Sequence, residues 1–393
     1  MLFQSVDSKK FIGIYADGAI HREAIPKGLR ATWGYCSFLP GNITYANLYC
    51  EGKSLDEVCP EELSLEWERT SSGLRAQMAA CREAKVDLHN NSFLTLIPEK
   101  LLLDFCEIKN QITEYVLTNY SRPKNYDFLL ELEWLLASMR SHQINLNLNA
   151  LKPHLVSAHA RAVYKRLKHA KPVIDYDAFK TKTGRLTTKR DSFPILTLSK
   201  AFRQAIEPNN DYFVELDFNA AELRTLLALS GKEQPAGDIH EWNIKNIYRG
   251  SVTREEAKKR IFAWLYNPES KDHLPNHAYN REKILAKHWD GERVETYFGR
   301  EIKADRHHAV NYIIQSTTSD LFLKRTIDVG KILRGRKSYV AFTLHDSLVI
   351  DFAEEDKDIL KQAVDAFEDT DLGKFGVNIS VGENFGEMKR LTL

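Results

Sequence analysis

The sequence predicts a mixed α/β fold of the α+β kind, on three observations. Residues 1 to about 60 mix short β-like runs with turn residues, the stretch from Ser64 shows helical periodicity, and the C-terminal third returns to apolar strands around a tight hairpin. The 393 residues leave room for two to four domains at roughly 100–200 residues each. With 43% apolar and 28% charged residues, the chain is neither disordered, nor collagenous, nor a small stapled scaffold. Cys36, Cys50, Cys59, Cys81 and Cys106 are odd in number and contain no CxxC pair, so neither a disulfide framework nor a zinc site is expected. No run of eighteen apolar residues exists and the N-terminus lacks a signal-peptide pattern, from which a soluble, reducing, cytoplasmic setting is expected.

In chain order, runs 11–15, 31–38 and 43–49 carry the β-branched and aromatic residues of a small sheet. Leu101, Phe105, Ile108, Ile112, Tyr115 and Val116 then recur at three- and four-residue steps, one face of a helix, and 129–139 is a second apolar helix. Residues 211–218 (DYFVELDF) read as a strand after an Asn-Asn-Asp turn, and 220–229 as the helix that follows. The helix 253–266 has the plainest boundaries: Thr253 and Glu256 form a capping box, and Asn267-Pro268 stops it. Strands 339–344 and 348–352 flank His345-Asp346-Ser347 as a hairpin turn. There is no internal repeat and no low-complexity linker, so interleaved domains are expected.

The net charge of +1 hides an uneven distribution. Segment 152–203 holds thirteen Lys or Arg against three Asp, a local +10, with His154, His159 and His169 besides, and the remainder of the chain stands at −9. Solvated helix faces mix signs. A single-sign run of this length suits a polyanion, because each neutralised phosphate releases condensed counterions.

Arg254, Lys258, Phe262 and Tyr266 are spaced by four, so each step drifts by about 40° and all four stay on one side of the helix. Cations suit triphosphate oxygens and rings suit a sugar and a base, the order needed to lay out a nucleotide. Asp217 ends an otherwise apolar strand and Asp346 sits at a hairpin tip. Carboxylates in such places are solvated, paired with a base or holding a metal. Two of them from separated strands can clamp two Mg²⁺ ions about 3.5–4 Å apart for in-line phosphoryl displacement.

These residues lie in runs that resemble the family A DNA polymerases, the Klenow-like group. Asp217-Phe218-Asn219-Ala220-Ala221-Glu222-Leu223-Arg224 resembles motif A, 254–266 is similar to the nucleotide-binding helix of motif B, and Thr343-Leu344-His345-Asp346 to motif C. Six further pieces follow the family's order: Thr183-Gly184-Arg185-Leu186-Thr187-Thr188, Phe202-Arg203-Gln204-Ala205, Asp238-Ile239-His240, Val294-Glu295-Thr296, Asn311 with Gln315, and Gly382-Glu383-Asn384-Phe385.

The resemblance implies a right-hand polymerase with an antiparallel palm sheet, helical fingers and a thumb. It implies a DNA-directed DNA polymerase that extends a primed DNA template from dNTPs with two Mg²⁺ ions, for which Mn²⁺ can substitute. Asp217 and Asp346 would hold the metals and carry catalysis, while Arg254, Lys258 and His240 would grip the triphosphate. Phe262 would pack on the deoxyribose, Tyr266 would stack near the templating base, and Glu222 would act as a steric gate under C2′. Arg185, Asn311, Gln315, His345 and Arg203 would contact the DNA.

Several positions depart from the family pattern. Ser347 replaces the second acid of motif C, Ala220 a Gln and Ala263 a Gly; 194–197 reads Pro-Ile-Leu-Thr for Pro-Asn-Leu-Gln, and His307 stands where Arg is usual. Residues 131–151 resemble the segment entering the thumb, which leaves only about 33 residues before Gly184 and implies a reduced thumb with low processivity. The expected partition is an N-terminal α/β module (1–110), a reduced thumb (111–182), palm (183–252 and 306–393) and fingers (253–305). Residues 1–110 are either a degenerate 3′→5′ exonuclease, with 14–19 and 89–94 as its remnants, or an unrelated module; neither would proofread. The expected setting is a monomer without membrane contact, working with a helicase, primase or other replication proteins, in the host cytoplasm if the chain is viral.

Two other readings share the pattern. A single-subunit RNA polymerase often has His-Asp-Ser in motif C, but needs the space that Glu222 and Phe262 would fill. A catalytically silent nucleic-acid-binding relative is opposed by the presence of both aspartates.

Overall fold

A computed structural model describes residues 2–5, 13–22, 26–28, 30–31, 45–86, 91, 93–267 and 269–392. The chain divides into two compact units, Met1–Ser141 and His142–Leu393. The boundary expected at residue 110 falls inside the helix Glu99–Asn119, and segment 111–182 is shared between the two units.

Among the described residues of the first unit, four short strands form a sheet in the order Ala19–His21, Ile14–Ala16, Leu2–Ser5, Arg30–Ala31, with only the last pair parallel. Asp17 and Gly18 make the hairpin turn at φ 50° and 77°, as a two-residue loop of this hand requires. Asp17 is therefore an exposed tip residue. The expected helical stripe is realised in Glu99–Asn119, which buries Leu102, Cys106, Ile108, Ile112 and Val116, while Tyr115 stays 38% exposed. The second apolar helix is Tyr126–Ser141.

The described part of the run 43–49 departs from its expected strand, because Tyr45–Tyr49 is helical. A helical turn brings Ala46 and Cys50 to one side, against Ile108, Ile112 and Val116, and that burial outweighs the β-preference of the local residues. Residues 32–44, 87–90 and 92 lie outside the described residues, and with them most of the 31–38 run and half of the 89–94 stretch.

The second unit is built on a five-stranded antiparallel sheet in the order Tyr339–Leu344, Ser347–Phe352, Tyr212–Phe218, Val377–Gly382, Lys389–Leu391. Alternation along Tyr212–Phe218 sends Val214, Leu216 and Phe218 to one face and Phe213, Glu215 and Asp217 to the other. Phe218 stacks on Phe367 (4.3 Å, 11°) and meets Phe322 and Phe375 edge-on, so helices Arg306–Ile332 and Leu360–Glu368 cover that face.

A separate core joins helices Ala221–Leu229, Ile239–Asn246, Arg254–Tyr266 and Arg281–His288 to the first half of Arg306–Ile332, around Trp264, Tyr279, Ile261 and Ile313. The expected capping box forms: the Thr253 N–H donates to Glu256 Oε2 at 2.8 Å, and the Glu256 N–H to Thr253 Oγ1 at 3.3 Å. After Asn145–Leu146, which pairs with Ile206–Glu207, come a 3₁₀ segment Leu148–His154 and the helix Ala158–His169. Among the described residues, no helix is long and apolar enough to cross a membrane.

Candidate active site

Asp217 lies one residue from the end of the central strand, directly opposite Ser347 on one side and Asn378 on the other. Leu344 pairs with Ser347, so the turn is the two residues His345-Asp346 and Ser347 already belongs to the strand, a correction to the three-residue turn expected. The register thus brings Asp217 and Asp346, 129 positions apart in sequence, to one end of adjacent strands.

Both carboxyls are held above the ordinary carboxylate range. Burial raises Asp217 to about 6, helped by the charge of Glu215 and, less, that of Asp346, and opposed by a hydrogen bond with Asn378. Burial also raises Asp346, against the nearby positive charges of Arg185 and His345. Two desolvated carboxylates are the hard oxygen donors that Mg²⁺ or Mn²⁺ takes. Among the described residues, no cluster of three or more His, Cys, Asp or Glu is assembled for a metal, so any cation there would draw on these two and on substrate or water oxygens.

The backbone is strained on both sides of the pair. His345 has φ +56° beside Asp346, and Ala220 has φ +52° three residues after Asp217, where the strand turns into helix Ala221–Leu229. Non-glycine residues in this region cost of order 1–3 kcal/mol each and persist where the surroundings over-determine them. Part of that determination comes from Arg224, 1% exposed, whose guanidinium donates to the carbonyls of Asn219 (2.9 Å), Pro235 (3.1 Å) and Gly237 (2.7 Å). It ties the turn after Asp217 to the loop that leads into Asp238.

Glu222 links two other expected site residues, Arg185 and Tyr266. Its carboxylate accepts from Arg185 Nη2 through one oxygen and from the Tyr266 hydroxyl through the other. Burial raises its pKa, Arg185 opposes the rise, and Asp346 adds to it. Arg185, His345 and Asp346 line a cavity of about 310 Å³ with Leu186, Leu196 and Thr343.

On helix Arg254–Tyr266, the rings of Phe262 and Tyr266 are parallel at 6.0 Å (9°). Arg254 is engaged rather than free: it donates to Asp238 Oδ2 from Nη2 (2.7 Å) and Nε (3.2 Å). Asp238 also caps the preceding helix, Ile239–Asn246, accepting from the His240 N–H at 2.6 Å. His240 is buried, its Nδ1 has no partner, and burial lowers its pKa; Asp238 opposes that, while the Arg254 and Lys258 charges add to it. The three residues expected to grip a triphosphate are therefore one electrostatic cluster, with Lys258 exposed at its edge.

Of the expected DNA contacts, Asn311 lines a second cavity of about 360 Å³ with Tyr266, Arg281, Arg306 and His307, and its buried Oδ1 lacks a partner. Gln315 lies one turn further along the same helix, half-buried. Arg203 lines neither cavity; its guanidinium lies over the Phe385 ring at 5.1 Å, where the Phe385 N–H donates to the Ile206 carbonyl at 2.9 Å.

Sequence reasoning passed over Glu215 and Asn378, which shape the Asp217 environment. It also passed over Asp238 as a partner for Arg254, although an Asp before an apolar helical run is an N-cap signal.

No protein-family model matches the chain, and no curated protein matches it. Among solved structures, it is similar to the POL domain of Pol1 from M. smegmatis in complex with DNA primer-template and dNTP, with a TM-score of 0.56, 14% identity, and coverage of 87% of this chain and 81% of that one. At that identity the likeness establishes the fold alone: over 87% of its length, the chain is built like a polymerase domain.

Proposed function

We propose that this chain is a DNA-directed DNA polymerase of the family A type, extending a primed template from dNTPs. The observation that carries the reading is the convergence of Asp217, Asp346, Arg185, Glu222 and Tyr266 on one region, beside a helix that presents cations and then rings. Residues 183–252 and 306–393 act as the palm, 253–305 as the fingers, and 111–182 contributes a reduced thumb. The chemistry that divalent cations supply when bound at Asp217 and Asp346 is activation of a primer 3′-hydroxyl and neutralisation of the leaving pyrophosphate.

The chain's own residues do the rest. Arg254, Lys258 and His240 attract and orient the triphosphate, and Arg254 exchanges its Asp238 partner for phosphate oxygens. Glu222, braced by Arg185 and Tyr266, forms a wall where a ribose 2′-hydroxyl would have to sit. Asn311, Gln315, His345 and Arg185 contact the minor groove near the primer end, where the acceptors are nearly alike for all correct pairs, so the contact tests shape.

Helix Ala158–His169 buries Ala160, Val163 and Leu167 and has no acidic residue; its outer face, with Arg161, Lys165, Arg166 and Lys168, tracks the duplex phosphates. The first unit does not proofread.

Primer extension with Mg²⁺ tests the reading. Wild type should extend with dNTPs in preference to rNTPs. Asp217→Ala should lose more than about 100-fold, since even outer partners of a metal site cost 10–100-fold. No extension by wild type rejects the polymerase, a preference for rNTPs moves the assignment to an RNA polymerase, and extension by the variant rejects the site. Trimming of a 3′-mismatched primer without dNTPs would reject the absence of proofreading.

A further inference from the structure

Three sequence pieces far apart in the chain meet at one buried ion pair. The Arg300 guanidinium donates to both oxygens of Asp320, Nη2 at 2.7 Å and Nε at 3.1 Å. The Asp320 side chain is wholly buried and that of Arg300 is 13% exposed. Thr296 fixes the Arg300 backbone: its Oγ1 accepts from the Arg300 N–H at 3.1 Å, and its N–H donates to the Arg300 carbonyl at 2.9 Å.

Gly184 lies flat on that guanidinium. A Cβ there would stand 2.6 Å from Nη2, 2.7 Å from Cζ and 3.0 Å from Nε, and the φ of +74° also excludes most side chains. The turn that holds Gly184 closes on itself: the Gly184 N–H donates to the Thr181 carbonyl at 3.3 Å, and Thr181 Oγ1 donates to the Arg185 carbonyl at 2.8 Å. The next side chain, Arg185, reaches Glu222 and lines the cavity with Asp346.

A buried ion pair is weak as a source of stability, because desolvation of both charges offsets most of their attraction. Its distinctive property here is a fixed plane. A bidentate guanidinium cannot tilt without breaking one of two charge-assisted bonds, and a lysine at the same place offers neither plane nor fork.

We propose that Arg300 and Asp320 are a positioning pair: their fixed plane is the floor that sets the 181–185 turn and thereby aims Arg185 at Glu222. This rests on the polymerase reading, in which Arg185 works at the primer end.

A double-mutant cycle in single-nucleotide extension separates positioning from general stability. Arg300→Lys should lower kcat/KM about 10- to 100-fold, the cost of small misplacements transmitted to a reacting group. In the Arg185→Ala background the same change should cost less than about threefold, because the aimed group is gone. Independently of activity, hydrogen exchange of the 181–186 amides should rise at least about tenfold in Arg300→Lys, while strand Tyr212–Phe218 keeps its protection.

Additive losses in the cycle, or unchanged exchange in the turn, overturn the positioning pair. If Arg300→Lys fails to fold, Gly184→Ala, which lifts the turn off the guanidinium, takes its place in both measurements. Absence of extension by wild type defeats the polymerase reading instead, and the exchange measurement still reads the pair.

Discussion

Ser347 stands directly opposite Asp217 across the antiparallel pair, and its hydroxyl donates to the Leu344 carbonyl at 3.0 Å, closing its own hairpin. Ser347 is thus 4% exposed and occupied with the turn. Ser347→Ala should leave turnover within a fewfold of wild type and cost about 1 kcal/mol of stability, the worth of one hydrogen bond. A loss of turnover by about 100-fold in steady-state extension would give the hydroxyl a part in the chemistry.

Asp217 links the site to pH-dependent stability. Its folded-state pKa of about 6 lies above the ordinary 3.8, so between those values the folded protein holds a proton that the unfolded chain has released. The stability associated with this group is therefore full below about pH 4 and lost as pH rises through about 6. In EDTA at pH 8, Asp217→Asn should be more stable than wild type, on the order of 1–3 kcal/mol, and the gain should shrink toward pH 4. Mg²⁺ should stabilise wild type but not the variant. Denaturant unfolding across pH checks both, and a variant less stable at pH 8 would contradict the burial argument.

Glu222 accepts from Arg185 and Tyr266 at once, so both of its oxygens are held. Glu222→Ala should reduce discrimination between dNTP and rNTP by at least about tenfold in the ratio of kcat/KM values. Tyr266→Phe removes one brace and should relax it by a smaller factor. Unchanged discrimination in Glu222→Ala would exclude the gate.

Helix Ala158–His169 exposes Lys165, Arg166 and Lys168. If these cations meet phosphates, replacing all three with Ala should reduce the slope of log affinity against log salt by roughly 2–3, since each duplex phosphate contributes about 0.9. Fluorescence anisotropy of a labelled primed duplex at several salt concentrations reads the slope directly. The same slope in wild type and variant would place the duplex elsewhere.

The legible parts of the protein were those governed by neighbours in sequence. The capping box at Thr253 and Glu256, the stripe from Arg254 to Tyr266, the strands around Asp217 and Asp346, and the basic excess of 152–203 follow from periodicity, cap chemistry and composition. Residues 45–49 misread for the converse reason: a short run takes the conformation that buries it, and the surface it buries against, Ile108 to Val116, lies some sixty positions away.

By itself, the sequence determined which residue types stand at which intervals, and hence the elements, the charge segregation and the candidate carboxylates. Only the tertiary structure decided that Arg254 is held by Asp238, that Ser347 is spent on its own turn, and that Arg300 and Asp320 lie beneath Gly184. Local propensity acts through a few bonds of backbone, whereas strand register and burial join residues that the chain separates by tens or hundreds of positions. The electrostatics of the site depend on those distant pairings.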